Sequence, residues 1–194
     1  MDAISQQQLA RRKRIIIVSL FTAFFLASAF LQYKIKFSDL GKPSLGGLKL
    51  GARPPNCSLR DLNGRRVSLQ DFRGRIALVD FWATWCGPCR AEFAELRSWF
   101  EKNQSRFPDL VILAVNLREE ASLVQSYVEQ MKLPFTVLLD SDGEVARQWQ
   151  VNVLPTLYLI DRNGMIAWSN TGYQGNLGLM LEMAIQRIDK GERR

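Results

Sequence analysis

The sequence predicts one α/β domain built on a mixed sheet, and three observations carry that prediction. Between residues 57 and 150, apolar strand-like runs alternate with segments of helical periodicity. The last two strand-like runs straddle the turn Asp161, Arg162, Asn163, Gly164 and so read as an antiparallel hairpin. Two cysteines, Cys86 and Cys89, stand where a buried strand gives way to a helix.

The elements follow in order. Residues 57–60 and 65–69 flank Asp61, Leu62, Asn63 and Gly64, the chemistry of a hairpin turn. Residues 75–82 form the first central strand, and 76–82 are apolar except for Asp80. Phe93, Leu96 and Phe100 recur at helical spacing, which predicts a helix over 87–105. Residues 110–116 read as a strand buried on both faces, an apolar run through Val115 that ends on Asn116. A helix over 119–131, a strand over 135–139 and a short helix over 144–150 follow. Strands over 156–160 and 165–169 make the closing hairpin, and 176–188 is an amphipathic helix.

Composition sets bounds. The chain has 194 residues, enough for one domain with an appendage, and 47% of them are hydrophobic, enough for a core. It contains no histidine, which excludes Ser-His-Asp and Cys-His catalysis, histidine-ligated haem and histidine metal sites. Three cysteines cannot make a multi-disulfide framework. Net charge is +7, but four of the positive charges are Arg11, Arg12, Lys13 and Arg14. No basic stripe interleaved with aromatics remains, so a nucleic-acid partner is not expected.

Those four basic residues precede nineteen without a charge, 15–33, just long enough to span a bilayer. The positive flank places residues 1–14 in the cytoplasm and everything after the span outside it. Ala27, Ser28 and Ala29 also form an Ala-x-Ala cleavage site behind an apolar core over 15–26, so the segment reads as a signal peptide too. Continuation of the apolar run through Phe30 and Leu31 favours the uncleaved anchor. The expected organisation is a cytoplasmic segment (1–14), a transmembrane anchor (15–33), a glycine- and proline-bearing linker (34–53), the domain (54–190) and a short tail (191–194).

Cys86 and Cys89, with two residues between them, can close a disulfide and reopen it. A helix N-terminus beside Cys86 supplies unpaired N–H groups and a dipole that stabilise a thiolate, which makes Cys86 the expected nucleophile. Cys89, one turn deeper, would resolve the mixed disulfide. The alternative, half of a zinc site, needs four ligands, and three cysteines without a histidine do not supply them. Asp80 is the odd residue in its strand: a lone buried carboxylate costs several kcal/mol unless it is protonated or paired.

Val79, Asp80, Phe81, Trp82, Ala83, Thr84, Trp85, Cys86, Gly87, Pro88 and Cys89 resemble the active-site segment of thioredoxins. The wider frame resembles membrane-anchored, extracytoplasmic reductases of the TlpA/ResA type, with an AhpC/TSA-like lead-in: Pro55 and residues 63–69 match the lead-in hairpin, and residues 153–164 match the segment carrying the family's cis-proline. The resemblance runs over roughly residues 50–190 and implies a thioredoxin fold: a mixed central sheet flanked by helices, with an N-terminal β-hairpin extension, after one N-terminal transmembrane helix. It implies that Asp80 exchanges a proton with Cys89 and that Glu92, three residues past Cys89, tunes the cysteines. An ordinary first-turn acid complementing the helix dipole is the other reading of Glu92. Pro155 matches the cis-proline, which leaves the Leu154 backbone free to pair with an extended substrate, with Trp82, Trp85 and Pro88 as an apolar rim. Trp82 reads equally well as core. Gly87 and Pro88 are thioredoxin's own dipeptide and imply a reductant. Trp149, Trp168 and Tyr173 carry no expected role, and Cys57 reads as a small buried hydrophobe.

The resulting expectation is an exported thiol–disulfide reductase acting on disulfides of other exported proteins. Apocytochrome c before haem attachment is the family's best-known substrate. No flavin or nicotinamide motif is present, so no cofactor is expected, and electrons would come from a membrane thiol–disulfide donor. A thiol peroxidase of the AhpC/TSA type shares the lead-in hairpin. A Cu(I) chaperone is the non-enzymatic alternative, although chaperones on this fold use a wider cysteine spacing and a histidine, and this chain has neither.

Overall fold

The computed structural model describes residues 47–191, together with residues 21, 22 and 25. The expected anchor over 15–33 lies outside the described residues except for Phe21, Thr22 and Phe25, which are helical. Among the described residues no helix is long and apolar enough to cross a membrane.

The domain opens with a hairpin, β1 (Ser58–Asp61) and β2 (Arg66–Ser68), in which Ser58 lies opposite Ser68. Asp61 fixes the turn: its Oδ1 accepts the N–H groups of Asn63 and Arg65, each at 2.9 Å. Leu69, expected to continue the strand, instead starts a 3-10 turn, Leu69–Phe72. Ser68 caps that turn, its side chain accepting from Gln70 N while its own N–H donates to Asp71 Oδ2 at 2.8 Å.

β3 (Ile76–Trp82) is the central strand, and all seven of its residues are buried. It runs parallel to β4 (Leu110–Leu117), reached through α1 (Gly87–Asn103). A second crossover through α2 (Ala121–Met131) reaches β5 (Thr136–Asp140), also parallel to β4. After the short α3 (Glu144–Gln148), β6 (Thr156–Ile160) lies antiparallel to β3 and turns back as β7 (Ile166–Thr171). α4 (Leu177–Asp189) closes the chain. The sheet order is β2-β1-β5-β4-β3-β6-β7, so the hairpin is an extension added at the β5 edge. α3 stops two residues short of expectation: Trp149 is its C-cap and Gln150 takes a left-handed φ of 57°.

Strand alternation divides the core in two. Ile76, Leu78 and Trp82 face the side covered by α1, α2 and α4, where Cys89, Phe93, Leu96 and Leu181 are buried. Ala77, Val79 and Phe81 face the other side, with Cys57, Val145 and Trp149. Asp80, even-numbered like Trp82, therefore points to the face that holds the dithiol. α1 and α4 approach closely because residue 178 is glycine: a Cβ there would sit 2.5 Å from Cδ1 of Trp99. Glu95 locks the same contact by accepting the Gly178 N–H at 2.9 Å and the Tyr173 hydroxyl at 2.7 Å.

Candidate active site

The site forms where β3 ends and α1 begins. Cys86 is the N-cap of α1, one residue ahead of the first turn, and its Sγ accepts the N–H of Cys89 at 3.2 Å. Gly87 and Pro88 occupy the first two helical positions, where proline removes no needed donor. Cys86 and Cys89 are joined as a disulfide. Cys89 is fully buried, whereas Trp85, Gly87 and Pro88 are exposed around the 4% of Cys86 that reaches solvent. The geometry thus grades access: Cys86 just reaches the surface and Cys89 lies behind it.

A clamp holds the segment leading to Cys86. Glu119, just after β4, accepts the Thr84 N–H at 2.7 Å, the Thr84 hydroxyl at 2.5 Å and Asn116 Nδ2 at 2.7 Å. Its neighbour Arg118 takes a left-handed φ of 54° and lines a groove of about 430 Å³ that also touches Trp85, Leu117, Val151, Val153 and Leu154. Another cavity, near the opposite end of β3 beside Arg75 and Phe72, lies away from the dithiol.

The Leu154–Pro155 peptide bond is cis. Thr156 Oγ1 donates to Val153 O at 2.7 Å, and Gly172 N donates to Pro155 O at 2.8 Å. Between these occupied carbonyls, the N–H and C=O of Leu154 have no partner among the described residues. Leu154 also lines the groove, so an unpaired stretch of backbone borders the apolar floor next to Trp85.

Behind the dithiol lie two acids. Asp80 and Glu92 are both completely buried. All four carboxyl oxygens are buried, and none finds a donor among the described residues when both groups are ionised. Burial drives both above the usual carboxylate range. For Glu92 the negative charge of Asp80 adds to the rise, whereas a hydrogen bond from Glu92 works against it at Asp80. Burial and mutual repulsion thus both oppose ionising the two carboxyls at once.

Three expectations change. Trp82 is no part of a docking rim: it is fully buried, with ring centroids 4.9 Å from Phe93 and 5.2 Å from Tyr127, because every position of β3 is covered. Glu92 is not an ordinary first-turn acid complementing the helix dipole, since it lies past the first turn and is completely buried beneath α1. Tyr173, expected to be idle, holds Glu95. Cys57 is a buried small side chain, its thiol pushed up to about 12 by burial and then by the charge of Asp140. Glu119 and Thr84 escaped the sequence reading; the available signal was Asn116, a polar residue in an otherwise apolar strand.

Comparison with known proteins agrees with this geometry. Residues 50–169 match the AhpC/TSA family. The chain is 32% identical over 148 residues to the thiol-disulfide oxidoreductase ResA of Bacillus cereus, covering 76% of this chain and 82% of that one. It is 31% identical over 162 residues to ResA of Bacillus subtilis, covering 84% and 87%. Among solved structures, a putative thiol:disulfide interchange protein DsbE from Chlorobium tepidum superposes with a TM-score of 0.65 at 32% identity, covering 73% of this chain and 98% of that one. Fold and dithiol together define a thioredoxin-fold thiol–disulfide oxidoreductase. The chain belongs to the AhpC/TSA family, as a member of the TlpA/ResA type.

Proposed function

We propose that this oxidoreductase works as a reductant of disulfides in other extracytoplasmic proteins, held at the membrane by residues 15–33. The observation that carries this reading is the joint placement of Cys86 at the head of α1, the unpaired Leu154 backbone and the groove beside Trp85. An extended substrate would pair with Leu154 as an added strand and set its disulfide against Cys86. The Cys86 thiolate, stabilised by the Cys89 N–H and the helix dipole, attacks one substrate sulfur and expels the other as a thiolate. Cys89 then gives up its proton and attacks Cys86 Sγ, which releases the second substrate thiolate and closes the disulfide. Asp80 takes that proton. A membrane thiol–disulfide carrier returns the two electrons. Apocytochrome c is one substrate of suitable chemistry.

Peroxide reduction is less well served. Cys57, the cysteine outside the dithiol, is buried with its thiol held protonated, so it offers no separate reactive sulfur.

Cys89→Ser in cells tests the proposal. The variant should accumulate mixed disulfides between Cys86 and exported proteins, and Cys86→Ser should accumulate none and lose disulfide reductase turnover. Full reductase activity in Cys86→Ser, or captured partners confined to the cytoplasm, would overturn it.

A further inference from the structure

Two carboxyls packed together in a core ordinarily call for a cation or a set of donors, and among the described residues Asp80 and Glu92 have neither. Their surroundings are specific. Asp80 lies in β3 between Ala114 of β4 and Leu157 of β6, both apolar. Glu92 lies one turn beyond Cys89 on α1. Among the described residues, Glu95 on α1 and Tyr173 ahead of α4 are the titratable groups that act on Glu92 besides Asp80, and the Cys86–Cys89 disulfide lies on the same face of the sheet. Glu95 is already occupied by Tyr173 and the Gly178 N–H, and Tyr173 is a donor to Glu95 with its hydroxyl pushed up to about 12 by that bond, so neither supplies a charge that would hold a second carboxylate. With no cation and no outside donor, a proton held between them joins the two carboxyls without setting two negative charges face to face.

We propose that Asp80 and Glu92 act as one acid pair holding a single proton, in which Glu92 donates to Asp80 and thereby keeps Asp80 ionised in the core as the acceptor for the Cys89 proton. Glu92 is then a positioning residue that works through Asp80. This rests on the dithiol exchange described above and adds a division of labour to it. A lone carboxyl at position 80 would be protonated at neutral pH and useless as a base. The neighbouring protonated carboxyl solves that problem without placing a cation in the core. In the resolving step Cys89–SH loses its proton to Asp80, the Cys89 sulfur bonds to Cys86 Sγ, and the substrate sulfur departs with the electron pair. The pair then holds two protons, and one passes on to the departing thiolate or to solvent. The protein dithiol is oxidised by two electrons and the substrate disulfide is reduced by two.

The test separates the two chemical steps. Reduced full-length protein is mixed with oxidised glutathione, quenched with acid and analysed by mass spectrometry, so that formation of the Cys86 mixed disulfide and its decay by Cys89 are timed separately across pH. Glu92→Met removes the donor and leaves Asp80 alone, so the pH profile of the decay step should move upward, slowing decay at pH 7 by about tenfold for each unit of displacement. Glu92→Gln, whose amide still donates to Asp80, should recover most of that displacement. If Glu92 were merely a second negative charge, Glu92→Met would move the profile to lower pH, and that result, or an unmoved profile, overturns the proposal. Should Glu92→Met not fold, 13C-carboxyl NMR of the oxidised wild type decides: Glu92 protonated and Asp80 ionised at neutral pH is expected, and both ionised or both protonated contradicts it. Failure of the mixed disulfide to form at all in the wild type would count against the exchange reaction itself, which the decay profile does not touch.

Discussion

Asp80 and Glu92 make the active site expensive for the folded state. Their carboxyls release protons at ordinary values in the unfolded chain, but burial raises both in the folded protein. Between the ordinary and the raised values the folded state binds more protons than the unfolded one, so stability is highest in acid and falls as pH rises through that window. Asp80→Asn removes one of these groups. Urea unfolding of the oxidised protein should then show a loss of stability between about pH 5 and about pH 8 that is smaller than in the wild type by about 1–3 kcal/mol. An unchanged loss would mean that Asp80 is not a source of the pH dependence. At this scale the sequence was informative where chemistry is local. Cys86, Cys89, Pro155 and Asp80 each sit in a short pattern that calls for them. The depth of Trp82 was not legible, because an apolar run does not say which of its aromatics the neighbouring strands cover.

At the scale of elements, the segment leading to Cys86 is held by a loop from another part of the chain. Thr84 and Glu119 are 35 residues apart, and they meet because β3 and β4 are parallel and in register, Trp82 opposite Asn116. Both strands therefore end at the same level, and Glu119 reaches across. Glu119→Ala would orphan the Thr84 N–H and the Asn116 amide and should destabilise the protein by about 1–3 kcal/mol. Because Trp85 and Cys86 follow directly, the variant should also bind disulfide peptides more weakly, and steady-state kinetics should show this as a raised KM. Wild-type stability together with wild-type KM would show that the clamp is idle. This contact was invisible beforehand: helical periodicity placed Glu119 at the start of a helix, but only strand register brings it to the dithiol. The limits of α1, α4 and the closing hairpin, by contrast, were readable within a few residues, since each depends on local periodicity and turn chemistry. The end of α3 was not, because Gln150 gives no sign in sequence of its left-handed backbone.

Across the whole domain, the edge hairpin, the central strands and the two crossovers put one accessible sulfur, one unpaired backbone stretch and one groove at a single end of the sheet. The buried acids lie on the same face just behind them. The fold class was legible from alternating segments and a terminal hairpin, because a βαβ succession leaves few ways to cover a mixed sheet. The arrangement suits thiol–disulfide exchange with a protein disulfide. An equilibrium titration of the full-length protein against glutathione buffers, with the Cys86 and Cys89 thiols trapped and counted, addresses this most directly. It should give a reversible two-electron couple nearer to thioredoxin, at about −270 mV, than to the oxidant DsbA, at about −120 mV. Absence of a reversible couple between these two sulfurs, or a potential close to that of DsbA, would contradict the account.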